Sequence, residues 1–117
     1  MSRFHLALVA ALATLVVAVA PASAAAPKLV GTVGPGFTIS LTKSGKKVKT
    51  LKAGKYTLVV RDKSNIHNFH LRGPGLNKTS AVAYVGTKTF TLTLKKGTYK
   101  FVCDPHATVM KGSFRVT

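Results

Sequence analysis

Three side chains that can bind a soft metal ion lie close together near the carboxyl terminus. They are Cys103, His106 and Met110, spaced as Cys-x2-His-x3-Met. A thiolate, an imidazole and a thioether are soft or borderline donors, which favour copper over magnesium or calcium. Because the spacing lets one loop wrap a single ion, we interpret this segment as one half of a metal site.

His67, far upstream, completes the donor set. Two imidazoles and a thiolate in a plane, with a weak axial thioether, form the blue-copper arrangement. We therefore predict that one copper ion, cycling between Cu(I) and Cu(II), is held by His67, Cys103, His106 and Met110. Zinc also accepts two histidines and a cysteine, but a structural zinc site needs a fourth cysteine or histidine, for which His70 is the candidate.

Each of these residues also has a plainer interpretation. Cys103 could be a buried apolar residue, and Met110 could fill the core at the start of a strand. His106 could be an exposed loop residue, and His67 a core histidine with a hydrogen-bond partner. His70 could be a surface residue or an accessory ligand. The combination of donors in one pattern favours the metal site.

The elements that position these residues are short strands. Five segments alternate apolar and polar residues with a period of two, and glycine-rich turns separate them. This pattern predicts an all-β sandwich or barrel of about seven or eight strands, with a helical turn only near Pro105. The five segments are Phe37–Leu41, Tyr56–Val60, Phe90–Leu94, Tyr99–Cys103 and Phe114–Val116.

Strand periodicity also predicts which side chains face the core. Side chains two apart on a strand share a face, so Cys103 is expected to point inward with Phe101, while Lys100 faces water. By the same rule His67 and Phe69 share the apolar face, and Asn68 and His70 lie opposite. Two segments with the pattern Leu-Lys-x-Gly-x-Tyr predict equivalent turns that lead into two strands: Leu51–Tyr56 and Leu94–Tyr99.

The chain resembles the cupredoxins, the plastocyanin-like small blue copper proteins, over about residues 28–117. The resemblance is carried by the pair His67-Asn68 and by the loop that places Pro105 and His106 after Cys103. It implies a Greek-key, cupredoxin-like β-sandwich, electron transport, and Met110 as the axial ligand. It also implies that Asn68 ties the His67 strand to the Cys103 loop by hydrogen bonds.

The amino terminus has the pattern of an export signal. Arg3 precedes the uncharged run Leu6–Ala20, and Ala22-Ser23-Ala24 is typical of a cleavage site. We predict a signal peptide at residues 1–24, cleaved after Ala24 or Ala26, and one copper-binding domain at residues 25–117. The run is shorter than the roughly 20 residues that span a bilayer, so we expect no membrane anchor and a periplasmic or secreted protein.

Charge indicates the kind of partner. The chain has 18 Lys and Arg against two acidic residues, for a formal charge of +16 at pH 7. We expect a monomer that docks briefly with an acidic redox protein. An apolar patch around His106 is expected to form the contact, built by Pro105, Ala107 and Val109 and by the turns Gly34–Gly36 and Gly73–Leu76.

Other functions remain open at this stage. The same ligands would serve a periplasmic copper carrier or buffer. An anion-binding module would use the lysine cluster between residues 43 and 55, although the absence of aromatic residues from this cluster argues against specific nucleic-acid recognition. We expect no enzyme, because Asp62 and Asp104 are the only side-chain carboxylates and neither belongs to a hydrolytic motif.

Overall fold

The computed structural model describes residue 7, residues 9–19 and residues 24–117. Arg3, and Ala22 and Ser23 of the predicted cleavage site, lie outside these residues. Residues 9–19 are exposed and belong to no helix or strand. Within the described part of the chain, no helix is long and apolar enough to cross a membrane.

Residues 28–116 form ten strands and one short 3₁₀ turn at Asp104–His106. The strands are β1 Lys28–Val33, β2 Ile39–Lys43, β3 Lys46–Lys47, β4 Thr50–Leu51, β5 Gly54–Asp62, β6 His70–Gly73, β7 Leu76–Thr79, β8 Gly86–Leu94, β9 Gly97–Val102 and β10 Lys111–Val116.

The strands make two five-stranded sheets that face each other. One has the order β3-β2-β1-β5-β8 and the other β4-β10-β9-β6-β7. The pairs β1–β5 and β4–β10 are parallel, and the other pairs are antiparallel. The chain passes repeatedly from one sheet to the other, as in Greek-key sandwiches. The predicted all-β sandwich is therefore confirmed.

The core follows from the period-two alternation. In β9, Tyr99 and Phe101 are buried while Lys100 is exposed, as predicted. Phe101 stacks on Phe69 and Tyr99 stacks on Phe114, with ring centroids 5.5 and 5.3 Å apart. Burial of each such side chain contributes roughly 1.5–3 kcal/mol. Cys103 follows directly on this row and is fully buried, so the metal-site loop begins at a rigid core strand.

Two details differ from the sequence prediction. The strand number is ten rather than seven or eight, because β3 and β4 are two-residue strands too short to show a period-two pattern. The strand expected to begin at Phe37 begins at Ile39, because Gly34 N–H donates to the carbonyl of Thr38 and turns the preceding residues away from the sheet.

The segment around His67 also differs. It pairs with no strand until β6 begins at His70. Phe69 N–H donates to Ser80 Oγ at 2.9 Å, and Ser80 N–H donates to the Phe69 carbonyl at 3.0 Å. These bonds anchor Phe69 in the core and fix the direction of the two residues before it.

Candidate metal centre

The loop between β9 and β10 is closed by its own backbone. Cys103 N–H donates to the Met110 carbonyl, and the Cys103 carbonyl accepts from His106 N–H, each at 3.0 Å. The His106 carbonyl accepts from Met110 N–H at 2.8 Å and from Val109 N–H at 3.1 Å. These four bonds hold Cys103, His106 and Met110 in one compact turn at the end of the sandwich.

The structure brings three of the predicted ligands together. His67 Nδ1 and His106 Nδ1 each lie 3.6 Å from Cys103 Sγ, and the two nitrogens are 3.1 Å apart. Cys103 and His67 are fully buried, and His106 is half-buried. Within the described residues, this is the one group of histidine, cysteine and acidic side chains spaced to hold a metal ion.

The donor triangle has the dimensions of a metal site. Protein nitrogen and thiolate ligands lie about 2.0 and 2.3 Å from a bound zinc ion, and copper takes the same ligand types. Three such donors in a plane would be about 3.5 Å apart between nitrogens and about 3.7 Å apart between nitrogen and sulfur. The observed separations are close to these values, so the three residues fit one ion with little rearrangement.

Met110 is fully buried immediately before β10. Its backbone makes two of the bonds that close the loop. A ligand role and a core-filling role both fit this burial, so the assignment of Met110 as the axial ligand stays a prediction.

Asn68 joins the two halves of the site. Its Oδ1 accepts from Asp104 N–H at 2.7 Å, and its Nδ2 donates to Asp104 Oδ2 at 2.7 Å and to Thr79 Oγ1 at 3.2 Å. The residue next to ligand His67 is thus bonded twice to the residue next to ligand Cys103. This is the tie that the cupredoxin resemblance implies, and it accounts for the burial of a polar side chain.

His70 is not part of the donor cluster. Its Nδ1 lies 2.9 Å from the Asp104 carboxylate and its Nε2 lies 2.6 Å from Asn77 Oδ1, so both ring nitrogens are occupied. In this arrangement His70 offers no free donor to a metal ion. It contributes to the network that holds Asp104 instead.

The sequence indicates only that Asp104 is one of two carboxylates outside any hydrolytic motif, and its place in this network was missed. Burial raises the pKa of its carboxyl group, but hydrogen bonds from Asn68 and His70, with the nearby charges of His70 and Arg72, outweigh burial and hold that pKa below its usual value. The sequence did hold a signal for this role, since Asp104 directly follows the candidate ligand Cys103.

Phe37 was also missed. Its ring meets the rings of His67 and His106 edge-on, with centroids 5.2 and 4.9 Å apart, although its side chain is 60% exposed. The sequence placed Phe37 in a strand, where it would face the core. It instead covers the two imidazoles from the solvent side.

One part of the predicted docking patch is wrong. The turn Gly73–Leu76 lies at the opposite end of β9 from Cys103. It packs against the first residue of that strand, since a Cβ on Gly97 would stand 2.7 Å from Pro74. The other predicted turn does reach the site, since a Cβ on Gly34 would lie 3.3 Å from His67 Cδ2. Pro105, Ala107 and Val109, which the sequence placed in the patch, are exposed in the site loop. Phe37 and Ile66 are further large apolar residues that are exposed on or next to the site segments.

Comparison with known proteins gives the same assignment. The family described as copper binding proteins, plastocyanin/azurin family, matches residues 37–117. A search of curated proteins gave no match. Reduced rusticyanin is 25% identical over 82% of each chain, with a TM-score of 0.57. A methionine-to-glutamine variant of rusticyanin is 26% identical over 77% of this chain and 76% of its own, with a TM-score of 0.54.

A further structure of the copper protein rusticyanin, 24% identical over 77% of this chain and 76% of its own, has the same fold, with a TM-score of 0.55. The donor triangle and the family together assign one copper ion as the cofactor, at His67, Cys103 and His106. The chain belongs to the plastocyanin/azurin family of copper-binding proteins, the cupredoxins.

Proposed function

We propose that this protein is an exported blue copper protein that shuttles single electrons between redox partners. The observation that carries the proposal is the buried triangle of two imidazole nitrogens and one thiol sulfur at the end of a rigid sandwich. When bound, copper supplies a one-electron couple between Cu(I) and Cu(II). Met110 is the proposed axial ligand.

The protein residues keep this site nearly unchanged between oxidation states. The four backbone bonds of the β9–β10 loop fix Cys103 and His106, and the side chain of Asn68 restrains the segment that carries His67. A site that moves little needs little reorganisation for electron transfer. The plastocyanin/azurin family and the restrained geometry both support electron transfer rather than enzymatic turnover.

The half-buried ring of His106 is the proposed route for electrons. It lies among the exposed apolar side chains of Phe37 and Val109, and Ile66 is exposed one residue before His67. A small apolar contact suits rapid release of a partner, and surrounding positive charge attracts an acidic one. We propose a transient complex between a monomer and an acidic redox protein.

Export rests on the sequence of the amino terminus. Arg3, the uncharged run Leu6–Ala20 and the small residues before Ala24 support cleavage there or after Ala26, and a periplasmic or secreted location. Expression of the full chain in a bacterium that exports proteins, followed by mass measurement of the product, tests this. An intact amino terminus in the recovered copper-binding protein would contradict it.

The visible spectrum of the Cu(II)-loaded domain tests the site. We expect an intense charge-transfer band from the Cys103 thiolate to Cu(II), and loss of this band in Cys103→Ser. His70→Gln is a matched control, since this variant removes a histidine that is outside the donor triangle, and it should keep the band. A folded, copper-loaded wild-type domain without the band would refute the proposal.

Electron self-exchange separates a shuttle from a copper carrier or buffer. Burial of Cys103 and His67, with His70 engaged elsewhere, supports a shuttle, because a carrier needs accessible donors to pass the ion on. We expect fast self-exchange and slow copper loss to a chelator. Slow self-exchange with ready copper loss would favour the carrier.

A further inference from the structure

The buried ring of His67 has one nitrogen without a hydrogen-bond partner among the described residues. Its Nδ1 faces Cys103 and His106, but its Nε2 is buried without a hydrogen bond. Among the described residues, one other buried side-chain polar atom shares this condition, Oδ2 of Asp62. Such atoms cost about 1–3 kcal/mol each when they stay unpaired, so two in one small domain call for an explanation.

These two groups belong to one short stretch of structure. Asp62 ends β5, and its Oδ1 accepts from Ser64 N–H at 3.0 Å, which turns the chain toward His67. A Cβ on Gly34 would stand 2.9 Å from Ser64 Cβ and 3.3 Å from His67 Cδ2, the ring carbon bonded to Nε2. The turn that holds Asp62 and the Nε2 edge of the imidazole therefore flank the same glycine.

The charges of the two groups are also complementary. Burial raises the pKa of Asp62, while the Ser64 N–H and the charge of His67 act in the opposite direction. His67 is thus near enough to stabilise the Asp62 carboxylate electrostatically. A histidine that binds a metal through one nitrogen almost always donates its other ring N–H to a carboxylate, a carbonyl or a water.

We propose that Asp62 is a positioning residue for the metal ligand His67, acting through one buried water that accepts from the imidazole Nε2–H and donates to Asp62 Oδ2. This inference rests on the proposed function, because it takes His67 Nδ1 as a copper ligand. The water satisfies both unpaired atoms. Asp62 then keeps the ring proton on Nε2, leaves the Nδ1 lone pair for the metal, and makes the imidazole a stronger donor.

The first test measures hydrogen exchange of the His67 ring proton by NMR in the zinc-loaded protein. We expect a slowly exchanging proton on Nε2, and exchange at least tenfold faster in Asp62→Asn. This variant is isosteric and keeps Oδ1 for Ser64 N–H, so it should fold. Thr91→Lys is the matched control, because it raises the net charge by one, as Asp62→Asn does. Thr91 is exposed on β8 and pairs with Thr57, away from the metal centre, so this variant should leave His67 exchange unchanged.

The second test is the reduction potential of the copper-loaded protein. Loss of such a partner typically weakens metal binding 10–100-fold. If only the binding of Cu(II) is weakened by this factor, the reduction potential of Asp62→Asn rises by about 59–118 mV. Unchanged ring exchange together with an unchanged potential would overturn the inference. Failure of the proposed function would appear differently, as a wild-type protein without the charge-transfer band, and the zinc experiment would still test Asp62.

Discussion

Two aspartates supply all the side-chain negative charge of the chain, and their environments are opposite. Asp104 is partly exposed and holds hydrogen bonds from Asn68 and His70, which bring its pKa below the usual value despite burial. Asp62 is nearly fully buried with one unpaired oxygen, and burial raises its pKa. The same residue type therefore stabilises the fold at one position and destabilises it at the other.

At neutral pH, Asp104→Asn should lower the stability of the metal-free domain. Because the folded pKa of Asp104 is lowered, its stabilisation is present in full above the unfolded value of about 3.8 and is lost as the pH falls through the folded value. The loss at pH 7 should stay below about 1 kcal/mol, because the carboxylate is screened by solvent. Denaturant unfolding at several pH values measures it. A difference that persists at pH about 2 would contradict this account.

The Asp62→Asn variant should show the opposite sign. A raised folded pKa means that the ionised carboxylate opposes folding above that pKa, and that this penalty disappears below the unfolded value of about 3.8. In the metal-free domain we expect a gain in stability at pH 7, because burial outweighs the Ser64 N–H and the charge of His67 in setting this pKa. The same denaturant series measures it, and a loss of stability at pH 7 would show that the hydrogen bonds of Asp62, including the proposed water, outweigh the cost of its burial.

The ligands could be predicted from the sequence because their chemistry is local. Cys103 and His106 share one loop, and their residue types alone specify a soft metal site. The roles of Phe37 and Asp62 could not be predicted in the same way. Each depends on a contact with His67 or its surroundings across the fold, and neither side chain belongs to a metal-ligand motif.

At the scale of elements, two turns with the same sequence pattern have the same geometry. Gly54 and Gly97 both have positive φ, 148° and 144°, which favours glycine at this position. Tyr56 hydroxyl donates to the Lys52 carbonyl at 2.7 Å, and Tyr99 hydroxyl accepts from Lys95 N–H at 2.9 Å. In each turn, a tyrosine bonds to the residue four positions earlier. The pattern Leu-Lys-x-Gly-x-Tyr therefore fixes the start of β5 and of β9.

The two tyrosines should differ in their contribution to stability. Tyr99 is fully buried and its hydroxyl also donates to the Pro74 carbonyl at 2.9 Å, so Tyr99→Phe removes two hydrogen bonds and should cost about 1–3 kcal/mol. Tyr56→Phe is the matched control and should cost about 0.5–1.5 kcal/mol. Urea unfolding of both variants compares them. Equal losses would show that the second bond of Tyr99 adds nothing.

Strands were predicted well where alternation was long and poorly where pairing depended on distant residues. β5, β8 and β10 cover three of the five apolar–polar segments, and β9 covers a fourth apart from Cys103. The alternation predicted for the His67 segment is wrong, because His67, Asn68 and Phe69 are all buried. The segment has no strand partner there, since Ser80 Oγ replaces a backbone acceptor at Phe69. The turn Gly73–Leu76 was predicted at the metal-site end of the sandwich, which is wrong. β6 is antiparallel to β9 and runs away from Cys103, and the sequence alone does not specify this register.

At the scale of the whole molecule, positive charge lies at both ends of the sandwich. Lys63 follows β5 four residues before His67, and Lys111 begins β10 directly after Met110, so both lie near the metal centre. Lys55 and Lys96 lie near the starts of β5 and β9, at the opposite end. A six-residue strand is about 20 Å long, about twice the distance over which salt screens charge at 0.1 M. The two ends are therefore expected to act separately on an approaching anion.

Charge reversal at the two ends should separate local attraction from net charge. We expect the bimolecular rate of oxidation by the anion hexacyanoferrate(III) to fall with added salt. At the same salt concentration, Lys63→Glu/Lys111→Glu should react about tenfold more slowly than the wild type, because electrostatic steering changes rates by about 10-fold or more. The control Lys55→Glu/Lys96→Glu has the same net charge and should change the rate much less. Stopped-flow oxidation of the Cu(I) protein measures all three. Equal effects of the two pairs would mean that overall charge, rather than the surface around His106, attracts acidic partners.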